Sequence, residues 1–427
     1  MLLLATLGLL AYFPARDIPL IADDYPNISQ ALTYGSPAGL GTMLRDAQFR
    51  LRSTSYWVMN GLWHAAGTTP GQYHAASLLL HIANTWLVLG LALAWPRLRP
   101  AAFWAAAFFA VHEGHQEAIM WFSAISELLM FFFGAGALWC WLRAGEAAQR
   151  PAGNASHRWA GHRWAVEAAG WALFTFALLS KESAVFLLPL FLLTIEAGQW
   201  KRTLPRLAPY AAIGALALLS IVESRANSFR FTDGSFSLHA PFWITWPHSF
   251  ARLLWIWGWP ALAAIALFGD SRVKRAALMA LAWSGIAFVP YSFLTYSTAI
   301  PSRQTYLASA GLALLVGLAL EQYARRRTAV AIALLGLMVL HNTAYLWTKK
   351  RSQFVERAAP TSQLITLARS THGAIWMQCF PLPPIVAEEA VRLAAGRLPA
   401  DLVWNAAAAS ARSAVPFCYV PTGQARR

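Results

Sequence analysis

The sequence predicts an all-α polytopic membrane protein with about eleven transmembrane helices. Three observations carry that prediction. The 427 residues are 57% hydrophobic and only 12% charged, roughly half the charge of an ordinary soluble domain. Apolar runs long enough to approach a ~30 Å hydrocarbon core recur along most of the chain. The 21 tryptophans suit rings that settle at membrane–water interfaces. The net charge of +15 does not point to nucleic acid, because no basic run accompanies a soluble-looking fold and cationic loops set topology in membrane chains.

Residues 1–15 lack a basic leader and a small-x-small cleavage site, so they read as an uncleaved first helix. A long external loop, 16–72, follows, and its stretches 26–34 and 53–66 read as short amphipathic helices on the membrane surface. The next apolar segments are 75–95, 101–112, 127–143, 168–180 and 184–198, the last two parted only by Ser180–Ser183. Then come 208–222, 250–268, 276–292, 306–320 and 328–346. Connections 96–100, 144–167, 199–207, 269–275 and 321–327 hold most of the loop cations, which places them in the cytoplasm. Their arginines read as topology signals on solvated faces. The chain then divides into a transmembrane unit, 1–347, and a small external region, 348–427, with one Ala-rich helical stretch near 385–398. Cys379 and Cys418 lie in that region, where an oxidising compartment would allow a disulfide, and Cys140 reads as a packing residue.

Four polar clusters fall on the external side. Asp23-Asp24-Tyr25-Pro26 follows the first apolar segment. Adjacent carboxylates at a membrane face are costly to ionise together, which suits a general base, and a helix cap before Pro26 is the structural alternative. His112-Glu113-Gly114-His115-Gln116-Glu117 precedes Trp121 and Glu127. On a helix Glu113 and Glu117 would share a face, as would His112 and His115. The histidines are three apart, so this is not the i, i+4 zinc-protease pair. Ser180-Lys181-Glu182-Ser183 is either a water-exposed ion pair in a turn or a lysine facing an anion in a cavity. Arg303, in Ile300-Pro301-Ser302-Arg303, could grip a phosphate with two hydrogen bonds or snorkel at the interface.

In this order the clusters resemble the GT-C superfamily of membrane glycosyltransferases, which use polyprenyl-phosphate-linked sugars. The likeness runs over about residues 15–320. It begins with Asp23-Asp24 and Phe49-Arg50-Leu51 and continues with Tyr73-His74…His81-x-x-Asn84. His112–Glu117 with Ala118 and Trp121, Ser180-Lys181-Glu182, and Pro301-Ser302-Arg303-x-x-Tyr306-Leu307 are similar to motifs of the transmembrane O-mannosyltransferases with tetratricopeptide repeats and of their bacterial relatives. Glu113 and Leu51 stand where that group has proline, Glu127 where it has aspartate, and no repeat array follows.

The resemblance implies transfer of a sugar from a polyprenyl phosphate to an acceptor hydroxyl on a glycan or protein, with inversion. The site would face the periplasm or exterior of a bacterial inner membrane. Asp23 would be the base, with Asp24 the close second. Lys181 and Arg303 would hold the donor phosphate, helped by hydrogen bonds from His112 or His115. Glu113, Glu117, Glu127 and Glu182 would orient the acceptor or a divalent cation. A transporter or flippase of lipid-linked glycans is the competing class, since it too needs charges facing a cavity.

Overall fold

The structure is a computed structural model that describes residues 1–149, 156–196, 198–226 and 229–421. Among these residues seven helices are long and apolar enough to cross a membrane: Pro70–Ala94, Phe122–Glu146, Trp200–Ser224, Phe242–Phe268, Ser271–Tyr291, Ser302–Arg326 and Thr328–Ser370. Other helices cover the remaining four expected segments: Leu2–Tyr12, Ala102–Val111, the 23-residue Ser156–Leu178 and the apolar turn and helix Glu182–Leu193. Each apolar run is therefore helical, but four are shorter or more polar than a full span. The expected loop 144–167 is mostly helix, from the end of Ile125–Gln149 and the start of Ser156–Leu178. Its middle, 150–155, lies outside the described residues.

Helix Tyr306–Arg326 is the axis of the bundle. It is buried almost throughout and packs on Ala102–Val111, Phe242–Phe268 and Ser271–Phe288. Glycine makes that approach feasible. A Cβ on Gly317 would meet the Ala105 nitrogen at 2.7 Å, and one on Gly311 would meet the Ala280 carbonyl at 2.4 Å. Small residues at helix crossings give membrane bundles their packing contacts.

Not every arginine of the expected cytoplasmic connections is solvated. Arg206 is well buried, donates 2.6 Å to Glu167 and 2.9 Å to the Trp141 carbonyl, and lies over the Trp141 ring. An unpaired cation at that depth would be costly, so the pair staples three helices together.

The two short helices expected within 16–72 are present as Asp24–Tyr34 and Ser53–Ala66, and they pack on each other. Asn27, in an Asn-x-Ser glycosylation pattern, instead donates 3.0 Å to the Ser123 hydroxyl, and Ser29 accepts 2.7 Å from Arg392.

The C-terminal region contains more than its helix. Thr328–Tyr345, a π-helical turn Leu346–Lys350 and Arg351–Ser370 run on without a break. Beyond them lies a three-stranded parallel sheet of β1 (Ile375–Cys379), β2 (Leu402–Val403) and β3 (Val415–Cys418), in the order β2-β1-β3. Ile375 pairs with Leu402 on one side and Val415 on the other. Helix Pro384–Ala395 crosses over between β1 and β2 and ends on Gly396, whose φ of 66° suits a left-handed cap. Cys379 and Cys418 form a disulfide joining β1 to β3. The sheet is absent from the sequence expectation because strands of two to five residues are too short to show a period of two.

Candidate functional site

The polar clusters converge at one end of the bundle, along residues 112–127. Helix Ala102–Val111 stops where His112 turns extended at ψ 120°. A 3-10 turn Glu113–His115, the short helix Gln116–Met120 and a second turn Phe122–Ala124 follow. This folded elbow does not keep one helical face, so Glu113 and Glu117 part company. The two histidines stay together, with ring centres 5.1 Å apart and planes nearly perpendicular.

Glu117 holds two guanidinium groups. Its Oε1 accepts 3.1 Å from Arg303 and lies 3.5 Å from Arg357, while Oε2 accepts from the Arg303 backbone N–H and the Ser302 hydroxyl. Both guanidinium carbons lie 4.7 Å from the Trp121 ring centre, a cation–π arrangement. Burial raises the Glu117 carboxyl, but Arg303, its backbone N–H, Arg357 and Ser302 together hold it below the ordinary carboxylate range. Sequence reasoning missed Arg357. It sits in helix Arg351–Ser370, among many exposed polar residues, and only the fold brings it to Trp121.

The acidic pair splits. Ala22 has φ 36°, a left-handed conformation unusual for a residue with a Cβ. Just after this strained turn, Asp24 points inward and Asp23 outward. Asp24 is fully buried; Oδ1 accepts from the Ser123 backbone N–H and hydroxyl, and Oδ2 from the Ile21 N–H. Burial pushes its carboxyl up to about 6 against those hydrogen bonds. Asp23 is exposed and accepts no side-chain hydrogen bond among the described residues. The surrounding protein raises its carboxyl above the ordinary range, and Arg303 and Arg357 pull it back.

Lys181 neither faces an open cavity nor pairs with Glu182. It forms a buried ion pair with Glu127, whose other oxygen accepts 3.1 Å from Tyr291. Glu182 instead accepts 2.8 Å from Arg52, which also donates to Ser126. Burial pulls the Lys181 ammonium down to about 8, with Arg52 adding and Glu127 opposing. The reason is packing: Ser180 is sealed against Thr54, so the turn lies beneath helix Ser53–Ala66 rather than in water.

His112 and His115 are buried, and His112 also lines the space beside the elbow. Burial drives His112 down to about 3, and His81 adds to the shift. His115 is driven well down by burial, with His112 and His81 adding, and its Nε2 lies 2.6 Å from the Ser309 hydroxyl. His81 Nδ1 lies 2.8 Å from the Tyr306 hydroxyl, and Asn84 donates to the Leu128 carbonyl. Motifs far apart in the chain thus lock to one another.

Beside the elbow is a cavity of about 490 Å³. Glu113, Arg252, His341 and Lys350 give it charge and polarity, and Trp255 and Ile256 form an apolar wall. These two residues are 65% and 39% exposed, so the wall continues onto the outer surface of an apolar helix long enough to cross a membrane. Helix Phe242–Phe268 is broken at Trp255, and Pro260 lies just beyond the break. Burial raises the Glu113 carboxyl, while Lys350, His341 and Arg252 oppose the shift. Ser302 lines the cavity and also bonds Glu117, so it links the cavity to the arginine pair. Among the described residues no three His, Cys, Asp or Glu side chains gather as a metal site.

No family model and no curated protein matches the sequence. Solved structures do match. ArnT from Cupriavidus metallidurans in the apo state superposes with a TM-score of 0.54 at 17% identity, over 97% of this chain and 88% of that one. ArnT bound to undecaprenyl phosphate gives 0.55 at 16% identity, over 97% and 89%. The archaeal oligosaccharyltransferase AglB from Archaeoglobus fulgidus, in complex with an inhibitory peptide and a dolichol-phosphate, gives 0.52 at 12% identity, over 93% and 63%. At these identities the likeness shows the fold alone: a polytopic helical membrane protein built like ArnT and AglB.

Proposed function

We propose that the protein is a glycosyltransferase that moves a sugar from a polyprenyl-phosphate donor to an acceptor hydroxyl at the external membrane face. The observation that carries this reading is the placement of Asp23. It is an exposed carboxylate after a strained turn, within electrostatic reach of Arg303, whose chain neighbour Ser302 lines a cavity with an exposed apolar wall. The undecaprenyl phosphate bound to ArnT and the dolichol-phosphate bound to AglB, on the same fold, support a lipid-linked donor.

The polyprenyl tail would pass along Trp255 and Ile256, and its phosphate would meet Arg252, Lys350 and then Arg303. A phosphate leaves as a stable anion, so the reaction needs a base and cations more than an acid. Asp23 would take the proton of the acceptor hydroxyl as its oxygen attacks the anomeric carbon. The C–O bond to the phosphate breaks on the opposite face, so the configuration inverts. Asp24 and Lys181 take supporting roles in this reading. Asp24 anchors the acidic turn, and Lys181 neutralises Glu127. The motifs similar to O-mannosyltransferases make mannose the first sugar to try.

The test is to give purified protein a panel of radiolabelled polyprenyl-phosphate sugars and to follow both transfer and lipid translocation in liposomes. Consumption of one donor that is lost in Asp23→Asn supports the reading. Translocation without any transfer would replace it with a flippase.

A further inference from the structure

We propose that Arg357, on the extramembrane continuation of the last apolar helix, is the second arm of a phosphoryl seat that Arg303 begins. This deepens the transferase reading and rests on it. The two guanidinium groups share one carboxylate, Glu117, and one ring, Trp121, at equal distances of 4.7 Å from its centre. Trp121 is buried, so its packed surroundings hold the platform in place for both arginines. Two positive charges against Glu117 leave one positive charge over. Asp23 is the group that feels it, because Arg303 and Arg357 are the two cations acting on its carboxyl.

Charge flow in the reaction matches this arrangement. The donor is a phosphodiester with one negative charge. When the acceptor O–H breaks, its proton goes to Asp23 and its electron pair forms the new bond to the anomeric carbon. The old bond pair moves to the phosphate oxygen, and the leaving monoester carries two negative charges. One negative charge is thus lost at Asp23 and gained at the phosphate. A pair of arginines between these two sites stabilises the carboxylate before the step and the leaving group after it. A fixed pair needs no reorganisation to do so, which is the condition under which such groups accelerate a reaction.

Lys350 lines the cavity and Arg357 follows seven residues later in the same continuous helix. Seven residues return to nearly the same helical face about 10 Å further on. One helix therefore carries a cation in the cavity and another at the seat. The C-terminal region is in this way part of the site, although the polar clusters read from the sequence all lie before residue 320.

The test uses full-length protein and two probes, undecaprenyl phosphate without sugar and inorganic phosphate, with dissociation constants from native mass spectrometry or microscale thermophoresis. Arg357→Gln is expected to weaken undecaprenyl phosphate about tenfold, and Arg357→Lys less, since ammonium cannot offer a two-pronged contact. Arg351→Gln removes the same charge from the same helix, at an exposed position, and is expected to change nothing. Equal weakening in Arg357→Gln and Arg351→Gln would reduce the effect to long-range charge and overturn the proposal. Unchanged undecaprenyl phosphate affinity in Arg357→Gln and Arg357→Lys also overturns it, including when only inorganic phosphate is lost, because the arginines then serve a different anion. Should Arg357→Gln fail to fold, Arg357→Lys decides alone. Binding is read without turnover. A failure to transfer any sugar, with lipid-phosphate binding still dependent on Arg357, would sink the transferase reading and leave the seat standing.

Discussion

At Asp24 three donors converge on one buried carboxylate, two from Ser123 and one from Ile21. Asp24→Ala strands those donors, at a cost of about 1–3 kcal/mol for each one left without a partner. The ionised form of Asp24 is disfavoured in the fold, since its carboxyl rises from 3.8 to about 6. Its contribution to stability is therefore fully present below pH 3.8 and is lost as pH rises through about 6. Thermal denaturation of the native protein should show that slope, and Asp24→Ala should lack it. Asp23 has the opposite signature in turnover. It must be ionised to accept a proton, so transfer should rise with pH through its elevated titration. Asp23→Asn should cost roughly 10²–10⁴-fold and flatten the profile, with an unchanged melting temperature. The acidic pair itself was legible in the sequence as adjacent carboxylates beside a span. Which of the two would be free was not, because it depends on the backbone of Ala22 and on a hydroxyl 99 residues away.

Among the elements, the elbow 112–127 gathers the most. Its first residue accepts from Tyr12, its middle holds the arginines, and its end holds Lys181. Periodicity suggested one helical face there. The tertiary contacts instead distribute its acids over three surroundings, which no local spacing encodes. The Lys181 turn illustrates the same limit. Its charge was visible in the sequence, and its partner, 54 residues earlier, was not. Removing one member of a buried pair leaves the other uncompensated, at about 3–5 kcal/mol. Lys181→Ala and Glu127→Ala should each lower the melting temperature strongly, while a Lys181→Met, Glu127→Leu double variant should recover much of the loss. If the double variant is as unstable as either single one, the charge-pair explanation fails. The short strands β1, β2 and β3 went unseen for a different reason. Five residues or fewer show no pattern, and only the crossover helix Pro384–Ala395 left a trace that could be read.

For the whole molecule, hydropathy alone placed a helix on each expected apolar segment among the described residues, because a bilayer admits few alternatives to a closed helix. The way the C-terminal region closes over the first external region was hidden. It rests on contacts between Pro384–Ala395 and Asp24–Tyr34 and on Arg392 donating to Ser29. The Cys379–Cys418 disulfide closes a loop with a sequence separation of 39 residues, worth roughly 2–4 kcal/mol. Its reduction should lower the stability of that region by about this amount while the transmembrane bundle stays folded. Limited proteolysis with and without reductant would show a cut confined to 371–421.

The unbroken helix from Thr328 to Ser370 has 43 residues, a rod of about 65 Å, whereas the hydrocarbon core is about 30 Å thick. Tyr345, Trp347 and Lys349 ring it where it would leave the lipid, with the Trp347 N–H bonded to the Leu10 carbonyl. The rod is a lever with its fulcrum at the headgroups and Arg357 on its outer arm. A thicker bilayer would draw it upright, and a thinner one would lay it over. Sugar transfer should therefore show an optimum in bilayer thickness when the protein is reconstituted in phosphatidylcholines of increasing acyl-chain length, and Arg357→Gln should flatten that optimum.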